Sequence, residues 1–231
     1  VTPTRRRLAR LLLAACALAA AGCAGFGRLC LEPGERAATR LLSPAALAER
    51  VWTAAPGRYY LRQAALFEFG QARVSADGLV RLDTGSGEAR LVAVNEMGVK
   101  LFDLSVTRET VTENFLLPDL ARVPGLTRSV AACLRAVYLD HRPRPTDALT
   151  TGRYTYELRR REGEGELVCT FSGLETLLLK EYEAPGESWA VRFHDYRPTD
   201  GLLVAGRTVF TDRRAGYRVT LLLQEVKRAD D

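Results

Sequence analysis

The sequence predicts an α+β domain built on one curled antiparallel sheet of roughly ten strands, with two helices packed over its concave face. Three observations point to it. Short segments of alternating apolar and polar residues follow one another, separated by turns bearing glycine or proline; only two stretches carry a helical spacing instead; and the links between strands are too short for parallel crossovers. A sheet of that size curls, and helices over its concave side enclose apolar space. Patterning leaves open whether that space is filled or hollow, because both need the same apolar residues.

Residues 1–22 precede the domain as an expected signal peptide. Arg5, Arg6, Arg7 and Arg10, an apolar run and the small-residue junction at Gly22 supply its basic start, apolar centre and processing site. Leu11 to Ala21 is well short of the roughly 20 residues that span a bilayer. The junction ends in Cys23 and so resembles that of bacterial lipoprotein precursors, although Ala20 stands where such precursors usually carry leucine. Cys16, after Leu13, Ala14 and Ala15, meets that local rule, but it leaves only Leu11 to Ala15 as an apolar centre, below the roughly 7 residues required. The resemblance therefore implies diacylglycerol and an N-acyl chain on Cys23, with residues 23–40 as a lipid-anchored tether and 41–231 as the folded domain.

Charge reads differently once the signal is set apart. The chain carries 33 basic and 28 acidic residues, and four of the basic ones are the signal arginines, leaving 29 against 28. A near-neutral domain gives no footing for nucleic-acid binding. Of the five cysteines, Cys30, Cys133 and Cys169 remain after Cys16 and Cys23, with Cys133 and Cys169 the candidate pair for a disulfide.

Ser43 as N-cap and Pro44 in the first helical position start a helix carrying Leu47 and Val51 on one face and ending by Pro56. Strands follow. Ala65, Phe67 and Phe69 alternate, Asp77-Gly78 reads as a two-residue hairpin turn, and Leu79 to Asp83 makes the return. After the Gly85-Ser86-Gly87 turn, Glu88 to Asn95 and Gly98 to Thr107 pair across Glu96 and Met97, and Val111 to Leu117 closes the first set. Leu126, Val130, Cys133, Leu134 and Val137 then form one face of the second helix. The loop from His141 to Pro145 reads as basic and exposed. A second meander occupies Tyr154 to Val226, with turns at residues 161–165, Pro185-Gly186 and Thr199-Asp200-Gly201.

Catalytic patterns are weak. Gly85-Ser86-Gly87 lacks the strand-to-helix context of a nucleophile elbow. His194 and Asp195, as neighbours on a strand, point to opposite faces. The two histidines and scattered cysteines lack metal-ligand spacing. The sequence is read as that of a non-enzyme with no cofactor beyond the acyl groups.

Three stretches carry a wider resemblance: Val92 to Phe102; the helix from Pro124 to Leu139; and Gly206 to Asp212 with Gly216 to Leu221. Behind a lipobox-like cysteine, their order resembles the LolA and LolB type of outer-membrane lipoprotein carriers and receptors. That resemblance implies a half-barrel whose helix-covered concave face holds acyl chains of a lipidated client. It also implies a monomer anchored on the periplasmic face of the outer membrane, with a lipid or lipoprotein client and a periplasmic carrier or transporter as partners. Alternation and helical spacing nominate Phe67, Phe102, Leu104, Phe115, Val130, Leu134 and Val137 as cavity residues. The competing reading is an accessory lipoprotein of an envelope complex, using the same fold for docking without cargo.

Overall fold

Twelve antiparallel strands form one open sheet in the computed structural model, which describes Ala38 and residues 40–229. From its middle, β1 (Arg58–Phe69), β2 (Ala72–Asp83), β3 (Glu88–Val94), β4 (Lys100–Val106) and β5 (Val111–Leu116) step outward to one edge. The chain then reappears at the opposite edge as β6 (Ala148–Thr151). From there β7 (Thr155–Glu162), β8 (Gly165–Ser172), β9 (Leu177–Ala184), β10 (Glu187–Thr199), β11 (Leu202–Asp212) and β12 (Tyr217–Arg228) step inward until β12 pairs with β1. The expected signal peptide and Cys23 lie outside the described residues.

The strands differ from the sequence reading in two places. β6 is only four residues long, too short to show alternation. The Asp77-Gly78 turn is a correction: β2 runs straight through it, and the hairpin turns at Gly70, whose φ of +58° suits the left-handed region. Gly78 instead pairs with Gln63 in mid-sheet. A side chain there would press on Leu91, since a Cβ would lie 3.1 Å from Leu91 Cδ1, while Gln63 Cγ at 3.5 Å would be in ordinary contact.

α1 (Pro44–Ala48) begins as its sequence indicates, with Ser43 Oγ accepting from the Ala46 N–H at 3.2 Å. It stops well before Pro56. The following turn sets Trp52 edge-on to Tyr59 and Tyr138, with ring centroids 5.2 and 6.1 Å away. The last tether residues are tied to the sheet: the Ala38 N–H donates to the Arg153 carbonyl at 3.0 Å, and the Tyr156 hydroxyl to the Arg40 carbonyl at 2.9 Å.

Only the segment between β5 and β6 joins opposite edges, so it must cross a face of the sheet. It holds a 3₁₀ turn (Leu120–Arg122), α2 (Leu126–Leu134) and a π-helical turn (Arg135–Leu139). Their bonds show that the sheet curls around them. Arg135 reaches the Thr107 and Thr110 carbonyls beside β4 and β5, Tyr217 on β12 donates to the Ser129 carbonyl, and Lys180 on β9 donates to the Ala136 carbonyl. In a flat sheet β4 and β9 would stand about 34 Å apart, seven strand spacings of ~4.8 Å. The helical segment is only about 21 Å long. One apolar core, running from Ala38 to Val226, fills most of the enclosed space, and a chain beginning at residue 24 contains all of it.

The loop after the π-turn is a second correction. His141, Arg142, Pro143 and Asp147 fold inward over β7 to β10, while residues 144–146 stand in solvent as expected. His141 packs against the rings of Tyr182 and Trp189, with centroids 4.9 and 4.8 Å away, and its Nδ1 lies 3.2 Å from Glu162 Oε2. Arg160 holds the loop through Asp147 at 3.1 Å, Glu162 at 2.8 Å and the Arg142 carbonyl at 2.6 Å.

Candidate functional site

Between α2 and the half of the sheet formed by β1 to β4 with β12 lies a cavity of about 210 Å³. Its hollowness follows from side-chain size. The inward residues of β1, β2 and β3 include Ala65, Ala72, Ala76, Gly78 and Ala93, which are too small to meet the helix above. Leu126, Val130, Cys133 and Leu134 of α2, with Leu120 and Val123 before it, form the roof. Phe67, Leu91, Leu101, Phe102, Val219 and Leu221 complete the apolar walls. For scale, a dry cavity of ~150 Å³ suffices to bind benzene.

The cavity has a direction. Phe69 and Val74 at the β1–β2 tip, with Val123, are exposed and mark an apolar mouth. Gln63 and Gly78 mark the inner end. From Phe69 to Gln63 along β1 is six residues, or about 20 Å. Gln63 is 2% exposed, and its Oε1 accepts from the Tyr138 hydroxyl at 2.8 Å. Burial pushes the Tyr138 hydroxyl pKa upward, so this donor stays protonated.

No protein-family model matches the sequence, and no curated protein is significantly similar to it. Solved structures do match. A LolA superfamily protein from Nitrosomonas europaea aligns over 83% of this chain and 96% of its own, with a TM-score of 0.53 and 10% identity. The fold is LolA-like. A DUF1329 family protein from Desulfovibrio piger has a TM-score of 0.49 at 10% identity, covering 81% of this chain and 94% of its own. For a putative outer membrane lipoprotein-sorting protein domain from Vibrio parahaemolyticus the TM-score is 0.44 at 10% identity, with coverages of 74% and 85%.

Within this LolA-like frame, Phe67, Phe102, Val130 and Leu134 all line the cavity. The other three nominated residues do not. Leu104 shares the inward face of Phe102 and pairs with Leu91, but one step further along β4 it is sealed in the core at 1% exposure. Phe115 is 39% exposed on the edge strand, beneath Lys100 Nζ at 5.3 Å from its ring centroid. Val137 belongs to the π-turn, which rotates it away from the α2 face toward a separate pocket of about 30 Å³.

That smaller pocket, on the far side of Tyr138, contains the Lys180 side chain, which is 3% exposed. Burial pushes the Lys180 ammonium down to about 8. Cys133 and Cys169 are both free and buried, which removes the candidate disulfide. Cys133 sits on α2 in the cavity roof, whereas Cys169 lies on β8 opposite Lys180; desolvation pushes each thiol up to about 12. The paired residues of the histidine stretch have structural bonds: Asp195 meets Arg207 at 3.2 Å, and the Tyr196 hydroxyl donates to the Leu177 carbonyl at 2.6 Å.

Sequence reasoning missed Gln63 and the small residues of the floor. Ala65, Ala76 and Ala93 occupy inward positions where an ordinary core would carry larger side chains. That deficit was the available signal. It was hidden because reading Gly78 as a turn broke β2 in two.

Proposed function

We propose that the chain is a non-catalytic lipoprotein that holds the acyl chain of a lipid or lipidated client in the cavity beneath α2. One observation carries this reading: the concave face is hollow where its floor is alanine and glycine, and the hollow opens at an apolar mouth. Burial of each methylene there contributes about 0.8 kcal/mol, so a long chain gains enough to leave water. It gains little over a bilayer or another such cavity, which suits reversible transfer toward the better host. The LolA-like fold and the lipobox-like Cys23 support placing the domain at the periplasmic face of the outer membrane, tethered by diacylglycerol and an N-acyl chain.

The test is to purify residues 24–231, extract them and identify bound lipid by mass spectrometry, with displacement of a fluorescent fatty acid measured alongside. Co-purified acyl lipid and saturable displacement are expected. Failure of both would sink the carrier reading and favour docking without cargo. For the anchor, Cys23→Ser is expected to abolish acyl labelling, whereas loss with Cys16→Ser instead would move the anchor.

A further inference from the structure

We propose that the Gln63 carboxamide is a recognition element at the inner end of the cavity, donating from Nε2 to an uncharged oxygen, an ester carbonyl or a hydroxyl, on an otherwise apolar ligand. This rests on the cavity reading above. Gln63 is buried to 2% exposure in a wall otherwise built of apolar side chains. Its oxygen is committed to the Tyr138 hydroxyl at 2.8 Å, which fixes the orientation of the amide. Among the described residues its Nε2 has no acceptor, so one strong donor is left at the end of an apolar hollow.

An amide donor facing an apolar hollow is poorly solvated until a ligand pairs with it, and leucine or methionine would close the same wall without that cost. Water alone is a poor occupant, since a buried water needs two to four polar partners and the lining side chains offer only the amide and the Cys133 thiol. The acceptor must be neutral. Among the described residues no cationic side chain lines the cavity, so a carboxylate or phosphate at this depth would be desolvated without a counter-charge.

Residues 24–231 loaded with a fluorescent fatty acid would be titrated with decane, 1-decanol, methyl decanoate and decanoate. The alcohol and the ester are expected to displace the probe at concentrations about 5- to 10-fold lower than decane, the worth of one buried hydrogen bond, and decanoate to lose that advantage. The double variant Gln63→Leu with Tyr138→Phe removes both polar partners and should leave decane unchanged while erasing the preference. In the unaltered chain, the Gln63 side-chain amide resonances should shift on adding decanol and not on adding decane. Equal displacement by decane and decanol, or a preference surviving the double variant, overturns the Gln63 assignment while leaving the cavity reading intact. Displacement by none of the four overturns both.

Discussion

Lys180 Nζ donates to the Ala136 carbonyl at 2.5 Å, tying β9 to a π-turn whose widened backbone leaves carbonyls without helical donors. The ammonium satisfies that oxygen but is itself buried, and among the described residues it has no carboxylate partner. Burial lowers its pKa to about 8 from 10.5, so the unfolded chain binds more protons between those values and stability rises with pH across that window. The cost of burying the charge is in full force below pH 8.

Compared with Lys180→Met, the unaltered chain should therefore gain on the order of 2–3 kcal/mol between pH 8 and 10.5. Cys169, its cross-strand neighbour, is pushed up to about 12 and stays neutral in that range, while Glu162, held at about 2, is ionised throughout. Urea denaturation of both proteins at three pH values checks this. A pH-independent difference would show that the bond to the Ala136 carbonyl fully offsets burial.

The inward-folded loop makes a different demand. Asp147 is 4% exposed and depends on Arg160 for its charge partner. Arg160→Met should destabilise the domain by about 3–5 kcal/mol, because it leaves a buried carboxylate uncompensated. Glu162 supplies the acid side of the same network. Burial alone would raise its carboxyl, but the bonds from His141 and Arg160 outweigh it and hold Glu162 at about 2. Its contribution is present above pH 4.5 and is lost as pH falls through about 2, so Glu162→Gln should flatten the acid limb of the stability profile. Fluorescence of Trp189, which packs against His141 at 4.8 Å between ring centroids, reports the local change.

Filling the cavity separates folding from binding. Ala65→Leu places three more carbons in existing space beneath α2, so stability should hold or rise by up to about 1 kcal/mol. Binding of an acyl probe should weaken at least tenfold. Thermal melting and probe titration of one preparation check both, and unchanged binding would place the ligand elsewhere.

Most of the fold was legible because its signals are local. Ser43 and Pro44 mark α1, Asp83 with Gly85-Ser86-Gly87 marks the β2–β3 turn, and the Leu126-to-Leu134 face marks α2. What escaped was either too short or dependent on distant partners. β6 has four residues. The charges of the 141–147 loop look exposed until Arg160 and Glu162, from another strand, are brought against them. Part of the cavity was equally legible: Phe67, Phe102, Val130 and Leu134 fall where periodicity puts them. Val137 does not, because a π-turn shifts the phase by an amount that residue types alone do not encode, and Leu104, in phase with Phe102, lies deeper in the core than the cavity reaches.

Gly78 offers a direct test of the register that creates the cavity. In a two-residue hairpin turn after Asp77, the glycine would need positive φ, and Gly78→Ala would cost at least 1 kcal/mol. As a mid-strand residue paired with Gln63 and Ala93, it has no such requirement. The added methyl would meet Leu91 Cδ1 at 3.1 Å, the far end of a side chain that can rotate. Alanine also narrows the unfolded ensemble, which offsets part of that contact. Gly78→Ala should accordingly change stability by less than about 1 kcal/mol, and the amides of residues 76–80 should remain protected from hydrogen exchange like the rest of β2. Displaced toward α2, Leu91 would shorten the cavity at its inner end, so long acyl probes should lose more affinity than short ones. A larger stability loss with rapid exchange at 77 and 78 would restore the turn and remove the inner wall on which Gln63 stands.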